Sequence, residues 1–539
     1  MSKPTFDPHY YPYASQRMMT VANRGMVATS QPLAAQAGLD ILKKGGNAID
    51  AAIATAAALT VVEPTSNGIG SDAFALVWTK GELHGLNASG PAPQAISIDK
   101  VKERGYDYIP KQGWIPVTVP GAPAGWLALS ERFGKLSLKE TLEPAINYAK
   151  NGYPISPVLA YYWKKEYEKY LPYADDEQFA DWFDVFAPNG KIPQVGELWK
   201  SPDHAKTLTA IAETGAKSFY KGEIADKIDA FSKKHNGFLT KQDLENYKPE
   251  WVSPINVSYR GYDVWEIPPN GQGLVALLAL NTLKGFDFSE KDAVATYHKQ
   301  IEAMKLAFAD GKKYITESKH MTVNIDALLS EQYAEQRRIL IGDEASIPEA
   351  GTPPKSGTVY LATADQEGNM VSFIQSNYDG FGSGLVVPGT GIALQNRGCN
   401  FSLDPDHDNA LQGGKRTYHT IIPGFLTKGD QAVGPFGVMG GFMQPQGHVQ
   451  VIMNMIDFQL NPQAALDAPR WNWPEAKRVM VEPDFPKHIA DGLERLGHQI
   501  EYTLDKYTFG RGQIIWRDPD TGVLYGGTEK RTDGLIAAY

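Results

Sequence analysis

The sequence predicts an α+β protein, on three observations. Apolar positions recur at helical spacing through much of the chain before residue 316. From Thr358 onward the pattern changes to short apolar runs separated by turns, as in β hairpins. Between them lies a polar, Pro-rich linker, Gly351-Thr352-Pro353-Pro354-Lys355, of the kind that runs exposed and tolerates a chain break. The elements follow in order. Ser30 is placed to cap a helix through Pro32, Ala37 and Leu42 that stops at Gly45-Gly46. Asn47 caps a second, Ala-rich helix to Val62, and Ser66-Asn67-Gly68-Ile69-Gly70-Ser71 turns into a strand from Phe74 to Trp78. The stretch from Trp126 to Phe288 reads as mostly helical, with clear spacing over 205–214 and 224–234, and 297–315 is a further helix. Thr358 opens the strand TVYLATAD; Gln366-Glu367-Gly368-Asn369 turns, and a second run spans 370–376.

Bulk properties exclude several classes. Of 539 residues, 42% are hydrophobic and 21% charged, as in a globular protein able to bury a large core. A net charge of −10 and the lack of any basic run argue against nucleic acid or an anionic membrane as partner. The most apolar stretch, 48–62, is too short to span a bilayer and is interrupted by Asp50. Residues 1–20 lack the apolar core of a secretory signal, so the expected location is cytoplasmic. The single cysteine, Cys399, excludes an internal disulfide framework. Gly68-x-Gly70 lacks the further Gly or Lys of a nucleotide loop, and Asp404-x-Asp406-His407-Asp408 lacks calcium-loop spacing. No cofactor and no metal are expected.

The chemistry begins at Gly357-Thr358. Were that bond to break, Thr358 would carry a free α-amine beside its own hydroxyl, a nucleophile and its base in one residue. Downstream, Gly437-Val438-Met439-Gly440-Gly441-Phe442 joins a strand-like stretch to a helical run. Adjacent glycines there allow backbone N–H groups to face a ligand, as an oxyanion hole requires.

Together with Gly45-Gly46-Asn47-Ala48-Ile49-Asp50, Gly237-Phe238-Leu239-Thr240 and the terminal Thr532-Asp533-Gly534, these motifs resemble the γ-glutamyltranspeptidase family of N-terminal nucleophile hydrolases, in the family's order, from about Gly25 to Tyr539. The resemblance implies a four-layer αββα sandwich. It implies self-cleavage into a large fragment, 1–357, and a small catalytic one, 358–539, which stay associated as one interleaved domain. Whether that pair assembles further into a homo-oligomer stays open. It also implies Thr358 as nucleophile, Gly440 and Gly441 as oxyanion donors, and Ser376 as a hydroxyl assisting Thr358.

The positions that the resemblance assigns to substrate recognition depart from the family. Its carboxylate-gripping Arg reads Ser89, its paired serines read His419-Thr420, an acidic residue for the glutamyl amine reads Asn400, and an Asn reads Tyr378. Arg397 stands where a neutral residue is usual. Loss of the acid weakens recognition of a glutamyl ammonium, whereas an Arg suits a carboxylate on the acyl group. The alternative is a structural ion pair of Arg397 with Asp404 or another carboxylate. The segment from Asn400 to Lys415 is short where the transpeptidases carry a lid, which favours hydrolysis over transfer. The expectation is an amide hydrolase for γ-glutamyl-like or carboxyacyl amides, similar to cephalosporin acylases. A glutathione hydrolase or γ-glutamyltransferase, an oxamate-type amidohydrolase and a catalytically weak carboxylate-binding homologue stay open.

Overall fold

The structure, a computed structural model, describes residues 16–348 and 359–539. Two seven-stranded antiparallel sheets form its centre. One runs in the order Leu535–Ala538, Gly25–Thr29, Val359–Asp365, Met370–Ser376, Asp72–Thr79, Glu82–Ala88, Glu250–Val252. The other runs Thr20–Ala22, Leu524–Thr528, Arg511–Arg517, Gln431–Met439, Gly424–Lys428, Tyr262–Glu266, Ile255–Tyr259. The sheets face each other, with the strand 359–365 against 431–439 and 511–517. Trp78 of the first stacks on Phe425 of the second at 6.1 Å. Gly437 makes this close approach possible, since a Cβ there would lie 2.5 Å from the Tyr360 ring.

Helices cover both outer faces. Pro32–Lys43 and Ala48–Val62 lie on the first sheet; Gly273–Leu283 and Met443–Ile456 lie on the second. The result is the αββα sandwich. Helix 48–62 is buried on every side, which explains why its sequence is apolar all round. Asn47 caps it as expected, accepting from Ile49 N and Asp50 N at 3.0 Å, while Asp50 returns a bond from Asn47 N at 2.9 Å.

Three sequence expectations need correction. Gln31, not Ser30, caps the helix 32–43, accepting from Leu33 N at 2.6 Å, because Ser30 is turned to donate to Glu63. Helix Met443–Ile456 begins well before the apolar run that announced it, accommodating Pro445 in its first turn. Helices first and strands later is also too simple, because strands from both sides of the linker are mixed in both sheets. The hairpin 255–266 was hidden in a Pro- and aromatic-rich stretch, although Arg260-Gly261, both at positive φ, is a turn fit for one.

The chain end closes the first sheet. Strand Leu535–Ala538 pairs with Gly25–Thr29, and the Tyr539 carbonyl accepts from Arg24 N at 3.1 Å.

Asn47 also donates to the Phe133 carbonyl at 2.7 Å. Asn47→Ala should therefore lower stability by about 1–2 kcal/mol, read as a lower denaturant midpoint, and Asn47→Ser should recover part of it. Equal losses for Ala and Ser would assign the effect to the Phe133 bond rather than the cap.

Candidate active site

Gly357 and Thr358 lie outside the described residues, as does the linker before them. The next residue, Val359, opens a strand in register with Gln375. Ser376 ends the neighbouring strand, is fully buried and sits opposite Asp72. Its Oγ accepts from Tyr378 N at 2.8 Å, which leaves the hydroxyl proton to be donated elsewhere.

Gly440 and Gly441 form the turn between strand 431–439 and helix 443–456, at φ 139° and 61°. Only glycine adopts such angles without strain. Gln272 fixes the turn from behind: its buried Nε2 donates to the Gly441 carbonyl at 2.8 Å and the Thr420 carbonyl at 2.6 Å. Its Oε1 accepts from Tyr418 Oη at 3.0 Å. Met443 N and Gln444 N donate to the Gly440 and Gly441 carbonyls. The turn's carbonyls are thus engaged, and among the described residues its two N–H groups have no acceptor. The N-terminal end of helix 443–456 adds positive potential at the same place. Gly440 borders an open cleft of about 520 Å³, lined also by Tyr162, Lys165 and Trp473.

Arg397 is 1% exposed. Its Nη1 donates to Thr420 Oγ1 at 2.6 Å, and its guanidinium lies 4.5 Å from the Tyr378 ring centre. Nε and Nη2 are buried with no hydrogen-bond partner among the described residues. Asp404 is exposed and bonds Asp406 N within its own turn, so the ion pair allowed by sequence is absent among the described residues. Burial pulls the guanidinium down to about 10 against the opposing pull of Asp72, so it stays charged at neutral pH. Tyr378 sits at φ +78°, a costly angle for a bulky residue, and its buried hydroxyl has no hydrogen-bond partner among the described residues.

Asp72 opens strand 72–79, fully buried. Its carboxyl accepts from Gly90 N at 3.1 Å and from His419 Nε2 at 3.0 Å. Burial raises it to about 7, with Arg397 pulling the other way. Burial and Arg397 push His419 well below its usual range, so a neutral imidazole meets Asp72 rather than an imidazolium. His419 Nδ1 accepts from Ile421 N at 3.4 Å, which fits the tautomer with its proton on Nε2.

The structure therefore brings Arg397, Tyr378 and Thr420 into contact and reaches His419 through Asp72. Ser89 and Asn400 are held in separate networks. Ser89 Oγ donates to Asn87 Oδ1 at 2.6 Å, and Asn400 Nδ2 donates to the Tyr418 carbonyl at 3.2 Å. The short segment 400–415 closes on itself through Ser402 and Asn409, and Asp408 accepts from Thr322 N at 2.9 Å. Among the described residues, the one group arranged like metal ligands is His298, Glu302 and His498. Lys305 donates to Glu302 at 2.6 Å, so that carboxylate already has its countercharge.

Over residues 34–539 the chain matches the family described as gamma-glutamyltranspeptidase. It belongs to the γ-glutamyltranspeptidase family. A crystal structure of cephalosporin acylase from Bacillus halodurans superposes with a TM-score of 0.97 at 67% sequence identity, covering 99% of each chain. The glutathione hydrolase-like YwrD proenzyme of Bacillus subtilis is 38% identical over 528 residues, 95% of this chain and 98% of that one. The oxamate amidohydrolase proenzyme of Klebsiella pneumoniae is 32% identical over 532 residues, 96% and 99% of the two chains. The protein is accordingly an enzyme, a hydrolase of the γ-glutamyltranspeptidase family with that family's N-terminal nucleophile fold.

Within this family member, sequence reasoning missed Asp72 and Gln272. The signal for Asp72 was a lone acid opening an apolar strand, DAFALVWT; for Gln272 it was a glutamine inside the Gly-rich turn before helix 273–283. Because Asp72 is raised in the fold, its contribution to stability is full below about pH 4 and is lost as pH rises toward 7. The span corresponds to about 4 kcal/mol. Asp72→Asn should flatten that part of the stability–pH curve, measured by denaturant unfolding; an unchanged slope would mean that Asp72 is ionised throughout.

Proposed function

We propose that the protein is a self-processing amide hydrolase that forms an acyl-enzyme on Thr358 and prefers acyl groups ending in a carboxylate. The observation that carries the acyl preference is Arg397, a buried charge with two unpaired nitrogens. A charge left so is costly unless a ligand completes its shell. A carboxylate would do so bidentately, with the Tyr378 hydroxyl as a further donor. Burial raises the Asp72 carboxyl to about 7, so at neutral pH it offsets the Arg397 charge only in part. A glutamyl group would bring an ammonium toward Arg397 with no acid at Asn400 to receive it. This favours glutaryl-like over γ-glutamyl donors, in line with the cephalosporin acylase likeness.

In the precursor, Thr358 Oγ attacks the Gly357 carbonyl carbon, the C–N bond breaks, and the nitrogen leaves as the Thr358 α-amine. Water then cleaves the ester and frees the Gly357 carboxylate. In the mature enzyme that amine, with a reference pKa near 8, takes the hydroxyl proton as Thr358 attacks the substrate amide. Ser376 donates its proton toward the nucleophile. Gly440 and Gly441 N–H groups receive the oxyanion. The amine product leaves through the cleft beside Gly440, and water enters by the same route to hydrolyse the acyl-enzyme.

Two tests follow. Purified protein should run as two co-eluting fragments, the smaller beginning at Thr358, and Thr358→Ala should stay a single inactive chain. N-terminal sequencing of a fragment that starts elsewhere would remove the assignment. Arg397→Ala should cost about 2–5 kcal/mol in kcat/KM for a glutaryl amide and leave a butyryl amide nearly unchanged. With glycylglycine added as acceptor, free glutarate rather than its glycylglycine conjugate should dominate the products. Equal losses for both substrates would make Arg397 structural.

A further inference from the structure

The short 400–415 segment offers no lid, yet Arg397 and Tyr378 are closed off from solvent. What lies over them is a different piece of chain. Residues 109–118 have no helix or strand and run along the outer face of the turn that bears Arg397. Asn396 Nδ2 donates to the Lys111 carbonyl at 2.8 Å, Gly113 N to the Ser383 carbonyl at 3.0 Å, and Gly398 N to the Pro116 carbonyl at 2.8 Å. Lys111 Nζ pairs with Asp379 at 3.2 Å and stands 5.9 Å from the centre of the Tyr378 ring, whose other neighbour is Arg397.

At Lys111 and Gln112 the strap has space on both sides. One side is the cleft of about 520 Å³ beside Gly440. The other is a cavity of about 1260 Å³ bordered by Tyr106, Trp114, Cys399 and Phe401. Lys111 and Gln112 line both. A segment packed on two faces cannot move without losing contacts, whereas one with a void on each side can. Ile109, Trp114 and Ile115 anchor the strap's ends in apolar clusters, and between them the hold includes the partly exposed Lys111–Asp379 pair and the backbone bond to Asn396.

The geometry points to Lys111 as a positioning residue for the acyl pocket: its pair with Asp379 latches the strap 109–113 over Tyr378 and Arg397, and release of the latch admits the acyl carboxylate. This rests on the reading of Arg397 as the carboxylate anchor. Closure seals the acyl end while the amine end stays open to the cleft, so the covered part of the substrate is the part Arg397 selects. The latch does not touch the scissile bond, so it acts on binding rather than on the chemical step.

The test uses the processed full-length enzyme and phenylglyoxal, which modifies accessible guanidinium groups, with mass-spectrometric mapping of each arginine. Lys111→Met should raise the labelling rate of Arg397 about fivefold, as expected for loss of one partly exposed ion pair, with other arginines unchanged. Lys111→Arg should restore the wild-type rate. KM for a glutaryl amide should rise in Lys111→Met while kcat is maintained. Should that variant fail to fold, Asp379→Asn breaks the same latch from the other side and carries the same expectation. Labelling of Arg397 at the wild-type rate overturns the proposal, as does a uniform rise at all arginines or a fall in kcat at unchanged KM. Labelling needs no substrate, so a failed charge preference in Arg397→Ala would remove the anchor reading without deciding the strap.

Discussion

The strand that begins at Val359 is bonded on both edges, by Gly25–Thr29 and by Met370–Ser376, and the site depends on that constraint. A central strand cannot slip by one residue without turning all its side chains to the wrong face. Its register with Gln375 therefore sets where the chain emerges beside Ser376. The second sheet reinforces it, because Gly437 admits the Tyr360 ring and the same strand runs on to Gly440. The Gly440-Gly441 turn and the start of strand 359–365 are thus placed by one sheet-to-sheet contact.

Around that rigid frame the charges are placed against their own solvation. Arg397 is kept in a buried wall where Asp72 is the foremost opposite charge acting on it and Asp379 adds a smaller pull, and Arg397 and Asp72 each move the other's titration. Burial works against both ionised forms, so neither neutralises the other fully. His419 stays neutral and uses its proton to orient the Asp72 carboxyl. Such an arrangement costs stability and makes sense at a place where a ligand finishes the network.

Much of this was legible in the sequence because it is local. The capped helix 48–62 and the hairpin 359–376 each follow from residues a few positions apart, and both lie where spacing puts them. The adjacent glycines 440 and 441 were readable for the same reason. What was not legible depends on distant parts of the chain. Asp404 is near Arg397 in sequence and bonds within its own turn, while the acid that senses Arg397 comes from Asp72. Ser89 and His419 occupy recognition positions by resemblance, but their hydrogen bonds are committed to Asn87 and Asp72. Side-chain commitment of that kind has no one-dimensional signature.

The bond between Arg24 N and the Tyr539 carbonyl places the chain's last residue beside its first sheet strand. Residues 24 and 539 are therefore neighbours in space, so where the chain between them is opened is a matter of connectivity rather than architecture. A permuted gene could join residue 539 to the region before Arg24 by a short linker and start translation just ahead of Thr358. Removal of the initiator methionine would then expose the threonine amine without any self-cleavage. On the proposed reading of Thr358, maturation and turnover would become separable traits.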